Sequence, residues 1–283
     1  MPFFTGKRPA SFRTDTVRYT DVATNSSTVS LPNPPFIMNW GYGEDFVNGP
    51  QGWKMLGNGP CDDGTISSQY YAYNGVGDCG WAFWGHAFMQ EDKQAKRPVS
   101  NFTSASTVNN YAEYLGLQNY TQINQNNDQG TDLQEGLQRV QSVGFTDADG
   151  KAHKIVAYAS LEVGNMKELW QALYLGNSIM LGIQFPESAD IQTQNGQIWS
   201  VVPGAQIVGG HCISLCGHPR EDVWTVITWG QRQTVTQQFL QTYMDEAYMF
   251  VSAEQYNAVT GDSPQNYTEA DIEKFLSMLG TVR

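Results

Sequence analysis

Residues 79–91 carry Trp81, Phe83, Trp84, Ala87 and Phe88, a set that makes the helical wheel largely apolar all round. A helix that is apolar all round cannot lie on a surface, so it has to run through the middle of a body large enough to enclose it. The chain has the material for such a body, with 283 residues of which 40% are hydrophobic, enough for one or two domains. Cys79 heads this helix, within Gly75-Val76-Gly77-Asp78-Cys79-Gly80-Trp81, where the glycines permit close backbone approach. A thiol at a helix N-terminus meets the positive end of the macrodipole and unpaired N–H groups, which lower its pKa and stabilise an oxyanion formed beside it. Cys79 is therefore a candidate nucleophile, and a nucleophilic thiol needs a proton partner from elsewhere in the chain.

The remaining sequence falls into four stretches. Residues 1–36, with five prolines, many Ser and Thr and little apolar periodicity, predict an extended N-terminal arm that drapes over a body or reaches a partner. Residues 37–150 hold Trp- and Gly-rich loops followed by helical patterns, among them 131–143 with Leu133, Leu137 and Val140 spaced at i, i+4 and i+7. Residues 151–255 read as short strands at 154–158, 179–183, 211–216 and 223–227, with one helical insert at 165–175. Residues 256–283 end in an amphipathic helix, where Thr268 is the N-cap and Ile272, Phe275, Leu276 and Leu279 form the apolar stripe. The fold class expected is α+β, helices first and strands second.

Of the four histidines, His211 stands at the head of a buried strand, 132 residues after Cys79 (211 − 79), within the roughly 130–150 of papain-type enzymes. His86 lies on the Cys79 helix and reads as a packing residue, while His153 in a turn and His218 before Pro219 are expected to be exposed. Cys212 and Cys216, flanked by His211 and His218, have the outline of a metal knuckle. They share one face of an apolar strand, however, and so read as small buried hydrophobes. Asp147-Ala148-Asp149-Gly150 has the outline of a calcium loop, but Phe145 and Val156 occupy the first and twelfth ligand positions, which leaves a hairpin turn. No metal or cofactor is expected. Asp245 and Glu246 read as a solvated pair or a salt bridge to Arg232. With 28 acidic against 16 basic residues and no basic run, a nucleic-acid partner is disfavoured. No apolar stretch approaches the ~18 residues of a membrane span, and the opening lacks the apolar core of a secretory signal, so synthesis in a cytoplasm is expected.

Three motifs in order resemble the papain-like cysteine peptidases: Gly77-Asp78-Cys79-Gly80-Trp81-Ala82-Phe83, Gly209-Gly210-His211-Cys212-Ile213-Ser214-Leu215-Cys216-Gly217, and Thr228-Trp229-Gly230. The resemblance spans about residues 50–255. It extends to a divergent branch found in bacteriophage and bacterial genomes, through Trp53-Lys54-Met55-Leu56-Gly57-Asn58, Gln129-Gly130-Thr131-Asp132, Asp245-Glu246-Ala247-Tyr248 and the opening Gly6-Lys7-Arg8-Pro9-Ala10. It implies a papain-like two-lobed fold, with a helical N-terminal lobe, an antiparallel β-barrel-like C-terminal lobe and the extended arm.

The same resemblance implies acyl transfer by Cys79 and His211, with an amide donor to the oxyanion. The family's Gln six residues before the nucleophile is replaced by Tyr73, which leaves Asn58 and Asn74 as competing donors. The family's orienting Asn, two residues before Trp229, is replaced by Ile227, which cannot hold an imidazole, and Thr228 beside it, on the opposite strand face, is carried as the third site residue. Gly80 also separates Cys79 from Trp81 where the family has none. Two functions are compatible with these residues. One is a cysteine peptidase or amidase acting on a peptide or cell-wall amide. The other is a catalytically weak or inactive structural or adaptor protein, a virion component whose arm binds neighbouring virion proteins.

Overall fold

The computed structural model describes residues 6–11, 13, 16–19, 76–94, 97–176, 178–229 and 231–253. Asn58, Asn74, most of the 1–36 arm and the helix expected after residue 256 lie outside them.

Helix α1 (Cys79–Gln94) starts where the Asp78 carbonyl accepts the N–H groups of Trp81 and Ala82. Trp81, Phe83, Trp84 and Phe88 are all buried, as a helix without a polar face requires. Helix α2 (Ser104–Tyr114) opens on a capping box in which Thr103 and Ser106 satisfy each other's backbone N–H. Helix α3 (Leu133–Ser142) is capped by Asp132, whose carboxylate accepts Glu135 N–H. A hairpin of β1 (Phe145–Thr146) and β2 (Ala152–His153) turns on Asp147, which accepts from the N–H groups of Asp149 and Lys151.

The second half contributes β3 (Ile155–Ser160), α4 (Met166–Gly176), β4 (Ile179–Pro186), α5 (Glu187–Gln194) and β5 (Ile207–Arg220). It closes with β6 (Val223–Thr228), β7 (Gln231–Thr236), α6 (Gln237–Tyr243) and β8 (Met244–Ser252). The six strands β3 to β8 form one antiparallel sheet in the order β3-β8-β4-β5-β6-β7, an open row among the described residues.

Side chains alternate across this sheet, and the alternation divides two cores. Met180, Cys212, Tyr248 and Phe250 face α1, α2 and α3, with Phe250 edge-on to Trp84 at 5.0 Å and to Phe83 at 5.8 Å. Ile179, Leu181, Ile183, Ile213, Leu215, Ala247 and Met249 face the other way, against α4, α6 and the side chains of Trp199, Trp224 and Trp229. A one-residue slip in β5 would exchange the two sets, so the position of the residues flanking Cys212 is fixed by packing on both faces. No helix among the described residues is long and apolar enough to cross a membrane. None of their His, Cys, Asp and Glu side chains gather in a group of three or more that could hold a metal ion.

The described part of the arm is stitched to the body. Ser11 donates to Asp132, Thr16 to Gln134, and Arg13 pairs with Glu135 at 3.2 Å, all at the start of α3. Val17 accepts the Ser160 N–H of β3, and the Tyr19 ring is buried in the second core.

Candidate active site

Cys79 opens α1 against the middle of β5, where its sulfur accepts the Cys212 N–H at 3.3 Å. His211 precedes Cys212, so its ring emerges on the face opposite the Cys212 side chain. There it lies flat on Trp229, with centroids 4.7 Å apart, and meets the edge of Phe185. Its Nε2 is 2.7 Å from the Thr228 hydroxyl, although the sequence set Thr228 on the strand face opposite the orienting position. His211 Nδ1 makes no hydrogen bond among the described residues, and none links Cys79 to His211.

Burial governs both groups. It pushes the Cys79 thiol up to about 11, against the opposing N–H groups of Cys212 and Gly6. The helix start alone was expected to lower this value, but desolvation of a fully enclosed thiolate outweighs it. Burial likewise pulls His211 down to about 3. The closed site therefore holds a neutral thiol and a neutral imidazole at neutral pH.

The cover over Cys79 is the chain's own arm. Lys7 N–H donates to the Gly210 carbonyl, Arg8 N–H donates to Thr131 O, and Thr131 N–H donates to Gly6 O, so residues 6–8 are bridged through Lys7 to Thr131 on one side and to Gly210 on the other. Gly77 and Gly130 form the walls at Gly6, and a Cβ on Gly6 would run into the Gly77 backbone. Both walls are held by one network. The Asp128 carboxylate accepts Gly77 N–H and the Tyr111 hydroxyl, and that hydroxyl oxygen accepts Gly130 N–H.

Lys7 is buried with its ammonium 2.8 Å from Glu246 and 3.0 Å from Asp245. Burial alone would lower its pKa, but the two carboxylates reverse this and raise it. Neighbouring strand residues normally point apart. Here Gly182 pairs with Glu246 and Ile183 with Met244, so Asp245 is an extra residue in β8 and both carboxylates reach the same ammonium. The solvated pair or Arg232 partner expected for Asp245 and Glu246 is thus replaced by Lys7, which is 238 residues away from Asp245.

Two other histidines differ from expectation. His153 is buried against Asp147 at 3.1 Å, and His218 stacks on Trp224 at 3.7 Å while its Nδ1 meets the Val223 carbonyl. Each has a partner that lets a polar ring be enclosed. His86 is buried on α1, as a packing residue should be, and Cys212 and Cys216 are free and buried. Lys7, Asp128 and Gly210 were not singled out from the sequence as site residues. The Gly6-Lys7-Arg8 opening and the Gly209-Gly210 pair before His211 were the only signals for two of them.

The fold is that of the papain-like cysteine proteases. Xylellain, a cysteine protease from Xylella fastidiosa, superposes with a TM-score of 0.56 at 12% identity, over 88% of this chain and 96% of that one. A digestive procathepsin L2 from Tenebrio molitor larval midgut gives 0.55 at 10% identity over 88% and 78%, and a procathepsin B from Trypanosoma congolense gives 0.52 at 10% over 88% and 86%. No protein-family profile matches the sequence. No curated protein matches it either.

Proposed function

We propose that the protein is a papain-like cysteine peptidase or amidase. Cys79 attacks the acyl carbon of a peptide or cell-wall amide, His211 takes the thiol proton and returns it to the leaving amine, and water then releases the acyl group from sulfur. The Cys79 backbone N–H and the side-chain amide of Asn58 or Asn74 hold the oxyanion, a donor being worth about 3–4 kcal/mol of barrier. Thr228 fixes the ring through Nε2, the part an orienting amide would play, and leaves Nδ1 for the thiol.

The observation that carries this reading is the junction of α1 with β5. A cysteine at the first residue of a buried helix rests on the residue next to a histidine whose ring is held by a hydroxyl and an indole. The adaptor or virion reading draws on a different observation, that thiol and imidazole are enclosed, neutral and unlinked.

A peptide library incubated with the Gly6→Val chain tests between them, because residue 6 can then no longer sit against Gly77. Cleavages that vanish on further change of Cys79→Ala or His211→Ala support the hydrolase. An uncut library, with Cys79 shown to be alkylated, overturns it and leaves the adaptor.

A further inference from the structure

We propose that the groove beside Cys79 is a binding site for an extended basic peptide with glycine followed by lysine. Residues 6–8 of this chain fill it in cis, and Asp245 and Glu246 are the residues that select the lysine. The proposal names the peptide class for the groove described above. It rests on the hydrolase reading only for the fate of a bound peptide, not for its binding.

The slot is shaped around a backbone with no side chain at one position and a long cation at the next. Gly77 and Gly130 close on Gly6 so tightly that a Cβ on Gly6 or on Gly130 would overlap the facing backbone. The Lys7 stem crosses Gly182, where an added Cβ would overlap Lys7 Cε, and its ammonium ends between the two carboxylates and the Arg8 carbonyl. A Cβ on Gly210 would stand 2.6 Å from Lys7 O, and the other atoms it would meet also belong to Lys7. Four glycines from four separate places in the chain thus leave one strand-wide gap, and the β8 bulge puts two acids at the depth a lysine reaches. Shape and charge select at adjacent positions: glycine by exclusion, lysine by two acceptors, Glu246 buried and Asp245 partly so. Arg8 adds an outer contact, its guanidinium 5.8 Å over the Tyr114 ring.

The test uses the full chain, iodoacetamide at about pH 8, and mass spectrometry to read labelling of Cys79. Wild type should label slowly. Lys7→Glu sets a third carboxylate against Asp245 and Glu246, so its arm should leave and labelling should rise at least tenfold. A blocked peptide copying residues 4–13, added in trans at millimolar concentration, should return that rate to near wild type, and the same peptide with glutamate for lysine should not.

Should Lys7→Glu fail to fold, Gly210→Ala serves instead, since it closes the slot without stranding a buried charge. It should label fast with or without the peptide. Slow labelling in Gly210→Ala, no protection by the lysine peptide in Lys7→Glu, or equal protection by the glutamate peptide overturns the proposal. Protection by the lysine peptide together with an uncut library keeps the binding site and removes the hydrolase.

Discussion

Cys79 meets β5 at the Cys212 N–H and His211 is the residue before it, yet the two are buried by different means. The imidazole is enclosed by the permanent core, Trp229 on its face, Phe185 at its edge and Thr228 on its nitrogen. The thiol is enclosed in part by residues 6–8, which hydrogen bonds and one ion-pair cluster hold in place. One wall is made of core side chains, whereas the other is a short segment tied across by backbone hydrogen bonds and the Lys7 ion pairs. Burial raises the thiol pKa against the Gly6 N–H and the Lys7 charge, whereas burial alone lowers the imidazole.

Changes on the two sides should differ accordingly. Trp229→Ala opens a cavity against His211 and Trp199 and should cost about 3–5 kcal/mol of global stability, read from the urea midpoint. Comparable loss from Lys7→Met would break the contrast, because a detachable arm should register in local hydrogen exchange rather than in global unfolding.

Acid offers a second handle. His211 takes a proton at about 3 when folded and near 6.5 when unfolded. Its contribution is complete above about pH 6.5 and is lost as the pH falls from there toward 3. At pH 5 the loss should be about 2 kcal/mol, and His211→Asn should flatten that part of the profile. An unchanged slope in His211→Asn would mean that His86, lowered by burial to about 4, carries the acid sensitivity instead.

Thr228→Val strands Nε2 in the core and should cost about 1–2 kcal/mol in the same denaturation assay. Labelling of Cys79 should be untouched in that variant, which separates positioning of the ring from access to the thiol. The smallest effect belongs to Arg13→Ala on the rim, under about 1 kcal/mol, since its pair with Glu135 is partly exposed.

Local chemistry in the sequence was enough for α1, because five apolar side chains around one helix permit only a buried path. The strand at 211–216 was visible in the same way but extends over Ile207–Arg220, since pairing with β4 carries Gly209 and Gly210 where their own propensity would not. The environments of the polar groups were far less legible. His153 and His218 looked exposed because nothing in their neighbourhood announces that a carboxylate or an indole will enclose them. Asp245 and Glu246 looked solvated because the bulge that converges them depends on the β4 register, and their cation sits at the opposite end of the sequence. Cys79 and His211 could be named as candidates from residue type and spacing, whereas the state of each could not, since a pKa depends on what is packed over the group.

The pairing of Lys7 with β8 also sets an order of assembly. Strand β8 is the last described strand in sequence, yet it lies between β3 and β4 in the sheet. The acids that receive Lys7 are therefore in position only after nearly all of the described chain has been made and the sheet has closed around its final strand. Closing a loop of 238 residues is slow and entropically costly, so it belongs late on the folding pathway. Until then the thiol and its glycine-walled slot stand open, and a nascent or refolding chain passes through a stage in which the arm of another copy can enter first. Refolding at rising concentration should then yield dimers with exchanged arms, the signature of a joint made between the two ends of a chain.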